Sequence, residues 1–421
     1  MTAATTRRYE SYVRSNSRLP ALDGLRAYSA LVVISGHIFS FGNPAHGVAS
    51  VWVFFVLSGF LLFQPIVQRD LRLGGREIAG YLVKRLLRIL PLYYLALTFY
   101  YVLESPPFLD DPSWLAQHVT FARASGHFWT VKQEMIFYLG LPLIAVTCAV
   151  LRSRFAAVAL LVMLIPASYV VFDVWGLVVL HGGLGGMLLY PTPFLCGMAL
   201  ALVAGGLRTG WGVPLQVVGA GGLVLLNWDP AATFVGFERL LGLPKDGSPF
   251  SHPYIMWPFA SALVLGAYLR PSAIFANRVI SGIGAMAFGV YLWHVLIVSL
   301  VRRYTELTTP WSVYLATVAG SIALAMATYR WIEVPGMRCG HWLASWIAGR
   351  DRTRLPRQVA VPLAPATSAF APSPSGRLAL EQRAARVADV GDRAGDAAAV
   401  ARTQLDGGVA IALELRRDAD R

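Results

Sequence analysis

Residues 22–37 read LDGLRAYSALVVISGH, an apolar run that carries Asp23, Arg26 and His37. On an α-helix the eleven steps from Arg26 to His37, at about 100° each, return to within roughly 20° of the starting face, about 16 Å further on. A guanidinium near one membrane surface and an imidazole deeper in the hydrocarbon are thus expected on one stripe. Ionisable groups inside a bilayer are costly, so such a stripe is a functional hypothesis by default. The plain alternative is a snorkelling Arg26 and a packed His37. Asp23, three residues before Arg26, can neutralise it at the surface.

The rest of the chain agrees with a membrane setting. Of its 421 residues, 56% are hydrophobic and only 14% charged, and the mean hydropathy is +0.55. A soluble domain carries about a quarter charged residues. Ten apolar runs of spanning length are legible, at about 22–41, 48–67, 86–103, 128–150, 155–173, 186–204, 212–228, 254–270, 279–300 and 311–333. The fold class expected is all-α, a polytopic transmembrane bundle of about ten spans.

The net charge of +13 sits in short connections and in the tail, a positive-inside distribution rather than a nucleic-acid surface. With an even number of spans it puts both termini in the cytoplasm. Arg302, Arg303, Arg239 and Lys245 break the pattern. Cys148, Cys196 and Cys339 give neither a disulfide framework nor a paired metal spacing. The polar start, MTAATTRRYESYVRSNSRLP, lacks an apolar signal core, so no cleaved signal peptide is expected. The domains expected are a cytoplasmic segment at 1–20, a membrane domain at 21–340, and a Pro/Ala/Arg-rich cytoplasmic tail at 341–421, largely disordered.

Five further stretches carry chemistry. VWVFFVLSGFLL (51–62) holds the small pair Ser58-Gly59, which permits close helix approach. YLVKRLLRILPLYY (81–94) sets Arg85 and Arg88 at i,i+3 on one face, where they either anchor a span or grip phosphate oxygens. HFWTVKQEMIFYLGLP (127–142) puts Trp129 at an outer interface and Glu134 one turn deeper, followed by Tyr138. Lys132 and Gln133 are expected to supply part of what a carboxylate entering a span needs. FGVYLWH (288–294) adds a second imidazole, His294. RWIEVP (330–335) ends the last span with Glu333, whose plain reading is a pair with Arg330.

Taken in order, R-x10-H, FFVLSGFLL, RLLRILP, W-x4-E-x2-FY, YLWH and IE-x-P resemble acyltransferase family 3, the integral membrane O-acyltransferases, over about residues 18–340. The resemblance implies transfer of an acyl group, acetyl by default, from acyl-CoA to a hydroxyl of a carbohydrate, glycolipid, secondary metabolite or related acceptor. It implies no permanently bound cofactor, with acyl-CoA as co-substrate. Arg26 and His37 match the family's essential first-span pair, Arg85 and Arg88 its basic pair, and Glu134 the first Glu of its Trp-Ser-Leu-x-x-Glu-Glu-x-Phe-Tyr segment. Met135 stands where the second Glu is usual, which bears on the acceptor pocket. Some members add a hydrolase-like domain with a Gly-Asp-Ser nucleophile; no Gly-Asp-Ser occurs here, so this chain is expected to act without it.

The expected roles follow. His37, Arg26 and Glu134 are the candidate catalytic group, with His37 as general base and Glu134 binding acceptor hydroxyls or orienting His37. Arg85, Arg88 and Arg26 are the candidate donor site. Asp23, Ser58, Trp129, Tyr138 and His294 are candidates for acceptor-binding or structural roles, and no metal ligand is expected. The competing classes are a transporter or flippase for a glycolipid or small solute, told apart by flux without chemistry, and a catalytically inert scaffold.

Overall fold

The computed structural model describes residues 19–39, 47–69, 71, 74–103, 114–122, 124–151, 153–169, 190–228, 236, 239–240 and 253–349. The expected N-terminal segment up to residue 18 and the tail beyond 349 lie outside them. Among the described residues every regular element is helical. The first half supplies α1 (Pro20–Phe39), α2 (Val48–Val67), α3 (Gly75–Val102), the short α4 (Trp114–Val119), a 3-10 turn at Gly126–Phe128, α5 (Trp129–Val150) and α6 (Arg154–Tyr169). The second half supplies α7 (Thr192–Val203), α8 (Gly212–Trp228), α9 (Trp257–Leu269), α10 (Ala273–Ala276), α11 (Arg278–Ala285), α12 (Ala287–Tyr304), α13 (Pro310–Thr328) and α14 (Val334–Ile347).

Helix α2 lies at the centre because nothing on it needs water. It carries no charged side chain, and Trp52, Phe55, Phe60 and Phe63 are all buried. A helix apolar all round belongs in a core or a membrane. Its approach to α7 is set by glycines on both sides. A Cβ on Gly59 would strike the Phe194 carbonyl, and one on Gly197 the Val56 carbonyl. This is the close backbone contact that small residues allow between helices in lipid. Helix α1 meets α11 in the same way, with Gly284 against the Asp23 carbonyl.

Outward faces are apolar too. Leu139, Leu143, Phe155, Val217 and Leu315 are all exposed, a surface that suits hydrocarbon rather than water. Among the described residues four helical stretches are long and apolar enough to cross a bilayer: Val48–Val67, Gly126–Val150, Thr209–Leu226 and Pro310–Ile347. A fifth is added if α11 and α12 count as one. The expected ten is not reached on those criteria. Asp23, Arg26 and His37 dilute the apolar run of α1, and Arg76, Lys84, Arg85 and Arg88 that of α3. Arg154–Ala167, Thr192–Gly206 and Trp257–Leu269 are apolar but short.

Two departures from straight helices shape the interior. The run expected as one span at 279–300 is bent by 75° between α11 and α12. The break falls at Met286, with φ −110° and ψ 18°, in the sparsely allowed bridge between helix and strand. Between α13 and α14 the residues Tyr329–Glu333 form a π turn, a local widening that re-aims side chains and recurs at functional sites. Helix α14 then continues past residue 340 and packs on α3, Gly80 lying against Ala344 and Gly340 against Lys84.

Candidate functional site

Charged groups from three helices converge on one cavity. Arg26 of α1, Arg85 and Arg88 of α3, and Glu134 of α5 line it, with Ser58 of α2 and Tyr138 beside Glu134. The free space, counted to its mouth, is about 770 Å³. Arg26 donates to Asp23 at 3.1 Å, the expected i,i+3 pair, with the two side chains 22% and 14% exposed. Helix periodicity alone accounts for that contact.

Arg85 and Arg88 are half-buried on one face of α3. The Arg85 guanidinium lies 5.9 Å from the Tyr81 ring centroid, and its Nε is buried without a hydrogen-bond partner. Both arginines also line a second space, about 1190 Å³ with the open solvent at its mouth included, together with Arg69, Lys84 and His341. The two spaces therefore share the arginine pair. Glu77 is the one carboxylate among the described residues that line the second space. A wall so rich in guanidinium and ammonium groups attracts a polyanion and can hold its oxygens by charge-assisted hydrogen bonds.

Glu134 accepts from the Ser58 hydroxyl at 3.2 Å and from the Tyr138 hydroxyl at 2.7 Å. The support expected from Lys132 and Gln133 lies elsewhere. Lys132 donates to the Ala122 carbonyl at 3.0 Å, and Gln133 accepts from the Tyr190 amide at 3.0 Å. Residues adjacent on a helix do not share a face, whereas Tyr138, four residues on, does.

His37 is not among the residues that line the arginine cavity. Its ring is exposed and lies 4.9 Å from that of His294, which in turn lies 5.3 Å from that of His127. Between the cavity and this imidazole cluster stand Tyr291 and Thr130. Both line the cavity, and their hydroxyls donate to the His127 carbonyl at 2.9 and 3.2 Å. The two ends of the α1 stripe thus have different surroundings: Arg26 lines the arginine cavity and His37 lies in the imidazole cluster. The ring neighbour of His37 is His294, and Glu134 is held by Ser58 and Tyr138.

Other expected residues fall into place by packing. Trp129 is half-buried in an aromatic cluster with Trp52, Phe55 and Tyr190, at ring distances of 6.1, 5.7 and 5.8 Å. Its ring thus packs against residues of α2 and against Tyr190. Glu333 is 1% exposed, and neither carboxylate oxygen has a hydrogen-bond partner. Arg330 is exposed, so the expected pair between them is not formed. The π turn directs Glu333 inward, and Arg88 is close enough to act on it electrostatically.

His127, Tyr291 and Thr130 are the participants that sequence reasoning passed over. His127 precedes Phe128-Trp129 within a stretch already singled out, but His294 and the Leu292 carbonyl reach it from α12 and Tyr100 from α3, far away in the chain.

No solved structure matches this chain. Over 363 residues it is 27% identical to a Bacillus subtilis protein named "Putative peptidoglycan O-acetyltransferase YrhL", covering 75% of this chain and 54% of the relative. It is 24% identical over 368 residues to "Peptidoglycan O-acetyltransferase OatA" of Listeria monocytogenes, covering 79% and 57%. The chain thus spans little more than half the length of these relatives. A family model described as an acyltransferase domain matches residues 19–330. That match takes in α1, the arginine pair, Glu134 and the imidazole cluster, and the chain belongs to acyltransferase family 3.

Proposed function

We propose that this chain is an integral membrane O-acyltransferase that moves an acetyl group from acetyl-CoA to a hydroxyl of a cell-surface polysaccharide such as peptidoglycan. The observation that carries the reading is the convergence of Arg26, Arg85, Arg88 and Glu134 on one cavity that adjoins a second cationic space. The names of the relatives support the acetyl group and the polysaccharide.

Arg85 and Arg88, with Arg69 and Lys84 nearby, hold the phosphate oxygens of the donor. Arg26 completes the donor site from α1. The pantetheine arm reaches from the arginine cavity past Tyr291 and Thr130 to His37, about 16 Å from Arg26 along the α1 stripe. There the acceptor oxygen attacks the thioester carbonyl while His37 takes the hydroxyl proton. The C–O bond forms, the C–S bond breaks, and the leaving thiolate takes the proton back from the imidazolium. General base catalysis of this kind contributes about 10²–10⁴-fold. Glu134, fixed by Ser58 and Tyr138, accepts hydrogen bonds from the bound substrate.

The setting proposed is the cytoplasmic membrane, crossed ten times with both termini inside. The candidates for those crossings are the four helices that meet the length and composition criteria, the bent pair α11–α12 taken as one, the three shorter apolar helices, and the charged α1 and α3. Reporter fusions that place the two ends on opposite sides would contradict it.

The test of function uses membranes containing the full chain, labelled acetyl-CoA and solubilised peptidoglycan fragments. Label is expected on the carbohydrate as a base-labile ester. Transmembrane flux of the fragments without ester formation would favour a transporter instead.

A further inference from the structure

His294 and His127 are buried, at 1% and 4% exposure. Each gives one ring nitrogen to a backbone carbonyl: His294 Nδ1 to Tyr291, and His127 Nε2 to Leu292 at 3.1 Å. A carbonyl only accepts, so each of those nitrogens carries the hydrogen. In the neutral rings the lone pairs are then fixed on His294 Nε2 and His127 Nδ1. Both atoms are buried and have no hydrogen-bond partner. A buried polar atom left open in this way calls for a donor.

The neighbour able to supply one is His37. Its ring is tilted by 51° to that of His294 at a centroid distance of 4.9 Å. At that spacing two imidazole nitrogens that turn to face each other come to about 3 Å, hydrogen-bond range. Being exposed, the His37 ring has room to turn. Catalytic hydrogen bonds are often unformed in the substrate-free enzyme and tighten when substrate binds.

We propose that His294 is the positioning residue of His37: its fixed Nε2 lone pair accepts the His37 N–H and thereby aims the other His37 nitrogen at the acceptor hydroxyl. His127, with its ring 5.3 Å from that of His294, packs beside it. The inference rests on His37 being the general base. It assigns to one backbone-locked imidazole the tautomer-setting part that a carboxylate plays in other base dyads. His294 cannot pass the proton onward, because its second nitrogen is committed to the Tyr291 carbonyl.

Two isosteric variants separate positioning from packing. His294→Asn keeps an amide donor near the δ position for the Tyr291 carbonyl but loses the ε acceptor. His294→Gln keeps a polar group at the ε position. The full chain, purified in detergent, is assayed with labelled acetyl-CoA and solubilised peptidoglycan fragments. Positioning predicts that His294→Asn lowers kcat by about 10–100-fold, the range for an orienting partner, with both KM values within about twofold. His294→Gln should recover most of that loss. His37→Ala combined with His294→Asn should be no slower than His37→Ala alone, because residues acting as a unit are not additive.

Normal turnover of His294→Asn, with His37→Ala inactive, would overturn the inference and leave the base reading standing. Near-normal turnover of His37→Ala would instead remove the base reading itself. A raised acceptor KM at unchanged kcat would make His294 a substrate-binding group and likewise overturn the proposal.

Discussion

The Ser58 hydroxyl donates to the Glu134 carboxylate at 3.2 Å across 76 positions of the chain, so the residue next to the glycine that lets α2 pack closely holds the cavity's carboxylate. Tyr138 supplies the second donor at 2.7 Å. A hydrogen bond to a charged group contributes about 1.5–3 kcal/mol. Ser58→Ala and Tyr138→Phe are each expected to lower kcat/KM by about tenfold, and Glu134→Gln by more. Steady-state kinetics on the purified variants check this, and unchanged values in both single variants would remove Glu134 from the working site.

Arg85 and Arg88 belong to both cavities, so their loss should act on the donor. Arg85→Ala and Arg88→Ala are each expected to weaken acetyl-CoA binding by about tenfold or more, the scale of one charge-assisted contact. Lysine should restore only part of it, because an ammonium lacks the guanidinium's bidentate fork. Equilibrium binding of labelled CoA measures the effect directly. Unchanged donor affinity in the double variant would contradict the phosphate grip.

Glycine packing gives a stability prediction with an internal control. Gly59→Ala drives a Cβ into the Phe194 carbonyl, and overpacking of this kind costs about 1–3 kcal/mol. Gly140 has nothing within 4 Å of where its Cβ would lie, so Gly140→Ala is expected to be neutral or to add up to about 1 kcal/mol through helix propensity. Thermal unfolding in detergent should rank Gly59→Ala below the parent and Gly140→Ala level with or above it.

Glu333 is a buried carboxyl without hydrogen-bond partners, within electrostatic reach of Arg88. Glu333→Gln keeps its shape and removes its charge. The expected result is near-parental thermal stability with altered donor affinity, because Arg88 loses a counter-charge. Glu333→Arg, a second cation beside Arg88, should prevent accumulation of folded protein. Parental donor binding in Glu333→Gln would restrict Glu333 to packing.

Much of this arrangement was legible in the residues. The runs at 48–67 and 212–228 match α2 and α8 to the residue, because uninterrupted apolar stretches are bounded by glycine or by polar and charged residues. The Arg26–Asp23 and Arg85–Arg88 faces follow from helix periodicity. The bend at Met286 was not legible, since GIGAMAFGVYL stays apolar through the break and no proline marks it. Nor was the partnership of His37, whose neighbours His294 and His127 come from α12 and from the turn before α5. Local spacing orders the residues of one helix but carries no information on which helix will face it. The same limit explains Glu333: a π turn, invisible in composition, directs it away from Arg330.

The most direct test of the whole account is the rate at which the purified full chain transfers labelled acetyl from acetyl-CoA to solubilised peptidoglycan fragments, parent against His37→Ala. The account predicts a loss of about 100-fold or more in turnover, the contribution of a general base, with donor binding retained through Arg85 and Arg88. Turnover by His37→Ala within about twofold of the parent would contradict it.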